Sequence, residues 1–329
     1  HEDLRIALDL MIAAAPPALA SSLPALAAQI VAAWPPLIPG FHSIPLDEQT
    51  TLTLIFGDIE HRLPALCGKF DAFYLDGFAP DRNPAMWSER TIFRLARLAA
   101  PGARVASWCV AGHVRRALTA AGFSVSKRAG YGSKRESLAA FWPEHPQPVR
   151  DITEAVVIGA GIAGASMARQ LAARGIAVTV IDKALPATGA SGNPVAVVRP
   201  EPGGADNPIA EFSAAGVIWL RRWLDVHGAN VPYAFCGALR MTRDQRRHDK
   251  LAAHSQTMPD EWLQELGQQQ AAHIGGQEIA GPAFLLPWSA WVQASALVNA
   301  MLDHPMIQVR PGLDVHQLSP LDAGSWALA

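Results

Sequence analysis

Two sets of residues in this 329-residue chain have types and spacings that could do chemistry. The first is Gly159, Gly161 and Gly164, which follow the apolar residues 156–158, with Asp182 closing a second apolar run at 178–181. Glycines so spaced let a strand turn sharply into a helix, let backbone approach a pyrophosphate at the helix N-terminus, and let helix and strand pack closely. An acid at the end of the next strand can hold a ribose hydroxyl, which is the role expected of Asp182. A β-branched strand before the glycines and an alanine-rich helix to about Arg174 supply the context this motif requires. These residues alone leave NAD and FAD both open. The second set is Asp58, just after the run 51–56, and Asp76, just after 72–75. Acids at strand ends sit where open α/β sheets bind ligands. The competing reading is that each caps the turn that follows.

The elements that must position them alternate. Strands at 51–56 and 72–75, a helix at 89–98, a strand at 104–110 and a helix at 114–121 predict a parallel α/β sheet. Residues 143–153 are proline-rich and polar, as a short stiff linker should be. The domain expectation is therefore residues 1–142, the linker 143–153, a dinucleotide-binding segment 154–204, an inserted α+β region 205–288 and a return to the dinucleotide domain at 289–329. The insertion opens with one long helix at 207–226, whose Trp219 and Trp223 face a core. The return contains a helix from about Gln293 and strands at 307–309 and 326–328.

Composition narrows the partners. Half of the residues are hydrophobic and 17% are charged, a globular balance with room for two cores. The formal net charge of −2 excludes nothing by itself, but between Gly112 and Arg135 lie Arg115, Arg116, Lys127, Arg128, Lys134 and Arg135 with no acid among them. Such a run predicts a phosphate-binding patch. Residues 10–46 hold no Asp, Glu, Lys or Arg, yet the seven prolines in that stretch would break a spanning helix repeatedly. A short helix near 19–33 and no membrane segment are expected. Cys67, Cys109 and Cys236 form no C-x-x-C pair, which fits a reducing compartment, with the cytoplasm as default. The histidines show no metal-ligand spacing, so no metal is expected; DNA is not expected as a partner either.

Three blocks give the first half a resemblance. Residues 76–87 (DGFAPDRNPAMW), 111–116 (AGHVRR) and 130–136 (GYGSKRE) resemble, in order and spacing, the methyltransferase half of the MnmC family of bifunctional tRNA-modifying enzymes. The fold implied is a partial class I methyltransferase (Rossmann-like) sheet followed by a partial FAD-binding Rossmann-type domain. The activity implied is methyl transfer from S-adenosylmethionine to an aminomethyl group on the wobble uridine of tRNA. Asp58 would then help to hold the adenine and Asp76 would lie beside the accepting amine. Arg115, Arg116, Lys134 and Arg135 would contact the tRNA backbone, and the rings of Phe78 and Trp87 could stack on a splayed base or pack in a core.

Residues 188–193 (TGASGN) are similar to the segment after the second strand in the D-amino-acid-oxidase group of flavoproteins, which includes the second half of the same family. That similarity implies FAD, with Ser191 and Asn193 beside it. It also implies oxidation of the C–N bond of a carboxymethylaminomethyl group, leaving the aminomethyl group for methylation. The chain departs from the family around Trp108, Cys109 and Val110, and again at Ala196 and Arg199. The family's methyltransferase half begins upstream of anything matching His1, and its flavin half continues beyond Ala329. Weak binding of S-adenosylmethionine and loose binding of FAD by this span alone are therefore expected. Two other readings compete: a stand-alone FAD-dependent amine or amino-acid oxidase with a scaffold first half, and a non-catalytic tRNA-binding module.

Overall fold

The computed structural model describes residues 2–47, 49–130, 132, 134–143, 152–204, 207–321 and 326–328. The expected linker, apart from Pro143, Ile152 and Thr153, lies outside the described residues, as do Tyr131 and Ser133. Two compact units divide the chain: Phe56–Asp151, and His1–Ile55 together with Ile152–Ala329.

Helices α1 (Glu2–Ala13), α2 (Pro17–Ala20) and α3 (Leu23–Ala32) precede strands β1 (Gly40–Pro45) and β2 (Thr51–Phe56), which pair with each other. Prolines cut the helix expected near 19–33 into α2 and α3. Pro24 falls in the first turn of α3, where a missing N–H costs no hydrogen bond. Among the described residues no helix is long and apolar enough to cross a membrane.

The Phe56–Asp151 unit contains α4 (Ile59–Arg62), β3 (Phe70–Leu75), α5 (Glu89–Arg97), β4 (Ala99–Ser107), α6 (Gly112–Ala120), β5 (Ser124–Ala129) and β6 (Glu136–Phe141). Its sheet has the order β3-β4-β6-β5. Here the expectation of a parallel sheet is corrected: β3 and β4 are parallel, but β6 runs antiparallel to both β4 and β5. The connection from β5 to β6 is short and can only reverse the chain, and β6 then slots beside β4. Ile92 and Ala96 of α5, Val114, Ala117 and Leu118 of α6, and Val105 and Leu138 of the sheet form its core.

The rest of the chain contains β7 (Glu154–Ile158), α7 (Ile162–Ala172), β8 (Ala177–Asp182), β9 (Ala196–Val198), α8 (Pro208–His227), β10 (Tyr233–Ala234), β11 (Ala238–Met241), α9 (Gln245–Ser255), β12 (Gln264–Leu266), α10 (Gln268–Gly275), β13 (Ala283–Leu286), β14 (Ala290–Val292), α11 (Ala294–Leu302), β15 (Ile307–Pro311), β16 (Leu318–Pro320) and β17 (Trp326–Leu328). Strands β7, β8 and β15 make an all-parallel sheet with α7 as the crossover, the first half of a Rossmann-type domain. The small sheets β10-β14-β9 and β11-β13-β12 are antiparallel, so the inserted region is α+β in character. Helix α8 begins where Asn207 caps it, accepting from the Ile209 and Ala210 N–H groups. Its Trp223 is buried and stacks between Trp219 and His227, so these indoles belong to the core. Arg221 lies over Trp288 and Phe235, at 4.6 and 5.0 Å from the ring centres.

Candidate functional site

Strand β2 delivers Asp58 through Gly57, whose φ of +134° is open to glycine and strained for other residues. Asp58 is exposed and caps α4, its Oδ1 accepting from the Glu60 N–H at 2.7 Å. The turn-capping reading is thus realised at Asp58. At Asp76 it is not. Asp76 follows the last residue of β3 and accepts a hydrogen bond from Trp108 Nε1–H at 2.7 Å.

That contact follows from register. Leu75 of β3 pairs with Ser107 of β4, so Asp76 and Trp108 are the next residues on adjacent parallel strands. Ser107 ties the two tips together, donating through Oγ to the Leu75 carbonyl at 2.7 Å and accepting from the Cys109 N–H at 3.0 Å. Trp108 was missed as a site residue because a strand drawn to Val110 buries it within the strand, whereas β4 ends at Ser107. Counting one residue past the ends of two paired strands would have found it.

The same edge collects the cations. Ser107 at the end of β4 pairs with Leu138 near the start of β6, which brings the β5–β6 connection to the tips of β3 and β4. Lys134 in that connection sets its Nζ 5.1 Å from the centre of the Trp108 ring. Arg135 neighbours it in sequence and is exposed. Arg115 and Arg116 are the fourth and fifth residues of α6, whose N-terminus carries no acidic residue and no side-chain cap. Cations at a helix N-terminus add to the positive end of its dipole, so the edge favours anions. Of the six cations in the run, Lys127 is compensated: it pairs with Glu136 at 2.6 Å across the hairpin, one residue beyond the stretch in which acids are absent.

The Phe78 ring is 73% exposed, whereas Trp87 is 3% exposed and donates through Nε1 to the Phe78 carbonyl at 2.7 Å. The two aromatics therefore part. Trp87 is core, packed edge-on against Trp108, and Phe78 alone offers a face to a base.

In the other unit the glycine motif builds a cradle. Gly159 has φ +101°, and nothing lies within 4 Å of where a Cβ would project. A Cβ on Gly164 would lie 1.8 Å from the Gly159 carbonyl oxygen, so only glycine lets α7 sit this close to the end of β7. Gly161 caps α7, and the Ile162 N–H donates to Ser191 Oγ at 2.9 Å. Asp182 at the end of β8 accepts from the Ala160 N–H at 2.7 Å and from the Ala184 N–H at 2.9 Å. These two donors, Ala160 first, hold its carboxyl below the usual carboxylate range. Gly159, Gly161, Gly164, Asp182 and Ser191 thus meet at one turn, and each Asp182 oxygen keeps a lone pair for a further donor. Asn193 turns back locally, donating to the Ala190 carbonyl at 3.1 Å. A cradle that a Cβ would fill, closed by an ionised acid, fits a dinucleotide such as FAD. Among the described residues no group of three or more His, Cys, Asp or Glu is placed to hold a metal ion.

Residues 21–143 match the family of S-adenosyl-L-methionine-dependent methyltransferases, and residues 154–308 match that of FAD dependent oxidoreductases. The chain is similar to the tRNA 5-methylaminomethyl-2-thiouridine biosynthesis bifunctional protein MnmC of Ectopseudomonas mendocina, with 37% identity covering 89% of this chain and 47% of that protein. The protein of the same name from Azoarcus sp. is 40% identical over 84% of this chain and 45% of its own. Among solved structures, glycine oxidase from Geobacillus kaustophilus is similar at 18% identity with a TM-score of 0.46, covering 54% of this chain and 50% of that one. The chain spans about half the length of the curated relatives it matches. Since the likeness to MnmC runs through both halves, a stand-alone oxidase with a scaffold first half is not favoured.

Proposed function

Because this chain belongs to the MnmC family, we propose that the whole protein modifies the wobble uridine of tRNA in two consecutive steps. The cofactors of the two matched families are FAD and S-adenosylmethionine. In the first step the carboxymethyl group of 5-carboxymethylaminomethyl-2-thiouridine is removed oxidatively. In the second, the resulting aminomethyl group is methylated to 5-methylaminomethyl-2-thiouridine.

For the methylation, Asp76 accepts a proton from the substrate ammonium and orients the freed lone pair, since an amine attacks a sulfonium methyl only when unprotonated and in line. S-adenosylmethionine, when bound, supplies the methyl group, and Asp58 contributes to holding its adenine. Phe78 stacks on the splayed base, while Arg115, Arg116, Lys134 and Arg135 take backbone phosphates and fix its register. For the oxidation, FAD, when bound, would supply the hydride acceptor for the carboxymethyl carbon next to nitrogen; water then adds to the resulting imine, releasing the two-carbon fragment as an oxo acid and leaving the aminomethyl group. Gly159, Gly161 and Gly164 let the turn and the start of α7 approach its pyrophosphate, Asp182 holds a ribose hydroxyl, and Ser191 and Asn193 line the same loop. No protein base is required there, because the amine's own lone pair drives hydride departure. We read residues 1–142 as methyltransferase and 154–204 with 289–329 as FAD domain, and we place the protein in the cytoplasm, a setting its three free cysteines suit.

The observation that carries this reading is Asp76 at the tip of β3, held by Trp108 and flanked by an exposed aromatic and a cation. Full-length protein is incubated with tRNA from a strain lacking it, and nucleosides are analysed by mass spectrometry with and without S-adenosylmethionine. Aminomethyl nucleoside without the donor and methylaminomethyl nucleoside with it are the expected products. No change in either arm overturns the reading.

A further inference from the structure

Beside the segment that leaves β9, β11 and the start of α9 line a cavity of about 720 Å3 that includes none of the residues of the strand tips or the glycine cradle. Five cations line it: Arg199, Arg240, Arg243, Arg247 and Lys250. Among the described residues, opposing acids are few. Glu201 is shared, its Oε1 meeting Arg240 at 2.8 Å and its Oε2 meeting Arg199 at 3.4 Å. Asp244 lies 3.5 Å from Arg247 while capping α9, and among the described residues Arg243 and Lys250 have no ion-pair partner. The cavity therefore concentrates more positive charge than a single carboxylate would neutralise. Guanidinium forks match the paired oxygens of phosphate, and several arginines around one concavity suit consecutive phosphates. Among the described residues no Phe, Tyr or Trp lines it, so it offers no platform for stacking a base.

We propose that this cavity binds backbone phosphates of the substrate RNA, a second anchor separate in sequence from the cations at the β3–β4 edge; the inference rests on the tRNA-modifying reading above. Its role is to position the RNA without reading its bases.

The test measures binding of under-modified tRNA to the full-length protein over a range of salt concentrations, comparing wild type with the triple variant Arg243→Gln, Arg247→Gln, Lys250→Gln. Removing one phosphate–cation pair should reduce the slope of log affinity against log salt by about 0.7–0.9, so the variant's slope should fall by about 2 and its affinity by roughly 10-fold or more. Arg243→Lys with Arg247→Lys, which keeps the charge, should retain most of the wild-type slope. If the glutamine variant binds tRNA with unchanged affinity and slope while wild type modifies tRNA normally, this inference is overturned and the family reading stands. If inorganic phosphate raises the melting temperature of wild type but not of the variant, and tRNA binding is the same in both, the cavity takes free phosphate and the RNA assignment fails. A wild type that neither binds nor modifies tRNA sinks the family reading and this inference with it.

Discussion

Trp108 Nε1–H donates to the Asp76 carboxylate at 2.7 Å, joining the tips of two adjacent parallel strands. Asp76 is exposed, so without a donor its side chain would sample several rotamers in water. The indole fixes one of them, and Lys134 over the ring keeps a positive charge within reach of the same edge. Trp108→Phe keeps the ring's packing against Trp87 but removes the N–H. Single-turnover methyl transfer by full-length Trp108→Phe should slow by about 10-fold, the scale of about 1.4 kcal/mol of positioning energy. KM for tRNA and the melting temperature should be little changed. An unaltered rate would show that Asp76 needs no help from the indole.

Gly164→Ala should damage the flavin half selectively. The added methyl would lie 1.8 Å from the Gly159 carbonyl oxygen and 3.3 Å from Val157 Cγ1, so α7 must move away from the turn it caps. Overpacking of this kind costs about 1–3 kcal/mol. The variant should purify with less bound FAD, read from the flavin absorbance, and melt lower by several degrees, while its methyl transfer persists.

How legible all this was depended on whether a signal was local. The glycine turn, Asp182 and the helix after them were readable because a backbone constraint is written in consecutive residues, and the structure brings Gly159, Gly161, Gly164, Asp182 and Ser191 to one turn. Helix α8 was readable from Asn207 onward because a cap and a long apolar pattern coincide. Contacts set by strand pairing were not. The Lys127–Glu136 pair and the antiparallel β6 depend on where a hairpin turns, and Trp108 beside Asp76 depends on a strand ending three residues earlier than its apolar run. Nor did the sequence announce that Arg222 of α8 would reach residues 179 and more positions away.

That reach carries its own prediction. Arg222 donates through one guanidinium nitrogen to the Ser43 carbonyl at 2.6 Å and through another to the Ala33 carbonyl. Burial lowers its pKa from the usual arginine value, yet two carbonyl acceptors offset the cost of enclosing the charge. Arg222→Met preserves the apolar stem and removes both donors, leaving the part-buried Ala33 carbonyl without this partner while the exposed Ser43 carbonyl turns to water. It should destabilise the unit by about 1–3 kcal/mol, seen as a lower denaturant midpoint with little change in slope.

His42 gives the same region a pH dependence. It is 3% exposed, with Nε2 at 2.9 Å from the Ile38 carbonyl. Burial pushes its pKa below the ordinary 6.5, the Ile38 carbonyl opposes that shift, and the charge of Arg222 reinforces it, with Glu211 acting weakly the other way. The folded state thus takes up a proton less readily than the unfolded one. Its stabilising contribution is complete above 6.5 and is lost as pH falls through the lowered folded value. Melting curves from about pH 7.5 to about pH 5 should show wild type losing stability faster than His42→Asn. Parallel curves would mean that His42 does not titrate in this window.

The cations at the β3–β4 edge should not be equivalent. Lys127 is held by Glu136 at 2.6 Å, an exposed pair whose strength is about 0.2–1 kcal/mol, and its charge is already balanced locally. Arg115 and Arg116 stand instead at an acid-free helix N-terminus, and Lys134 lies over the Trp108 ring beside Asp76. Lys127→Gln should therefore leave tRNA affinity within about twofold of wild type, because it removes no phosphate contact. Neutralising Arg115, Arg116, Lys134 and Arg135 together should weaken binding by roughly 100-fold and reduce the salt slope by about 3. Equal losses from Lys127→Gln and from any one of the other four would show that only the summed charge of the unit matters, and that its arrangement around Asp76 does not position the RNA.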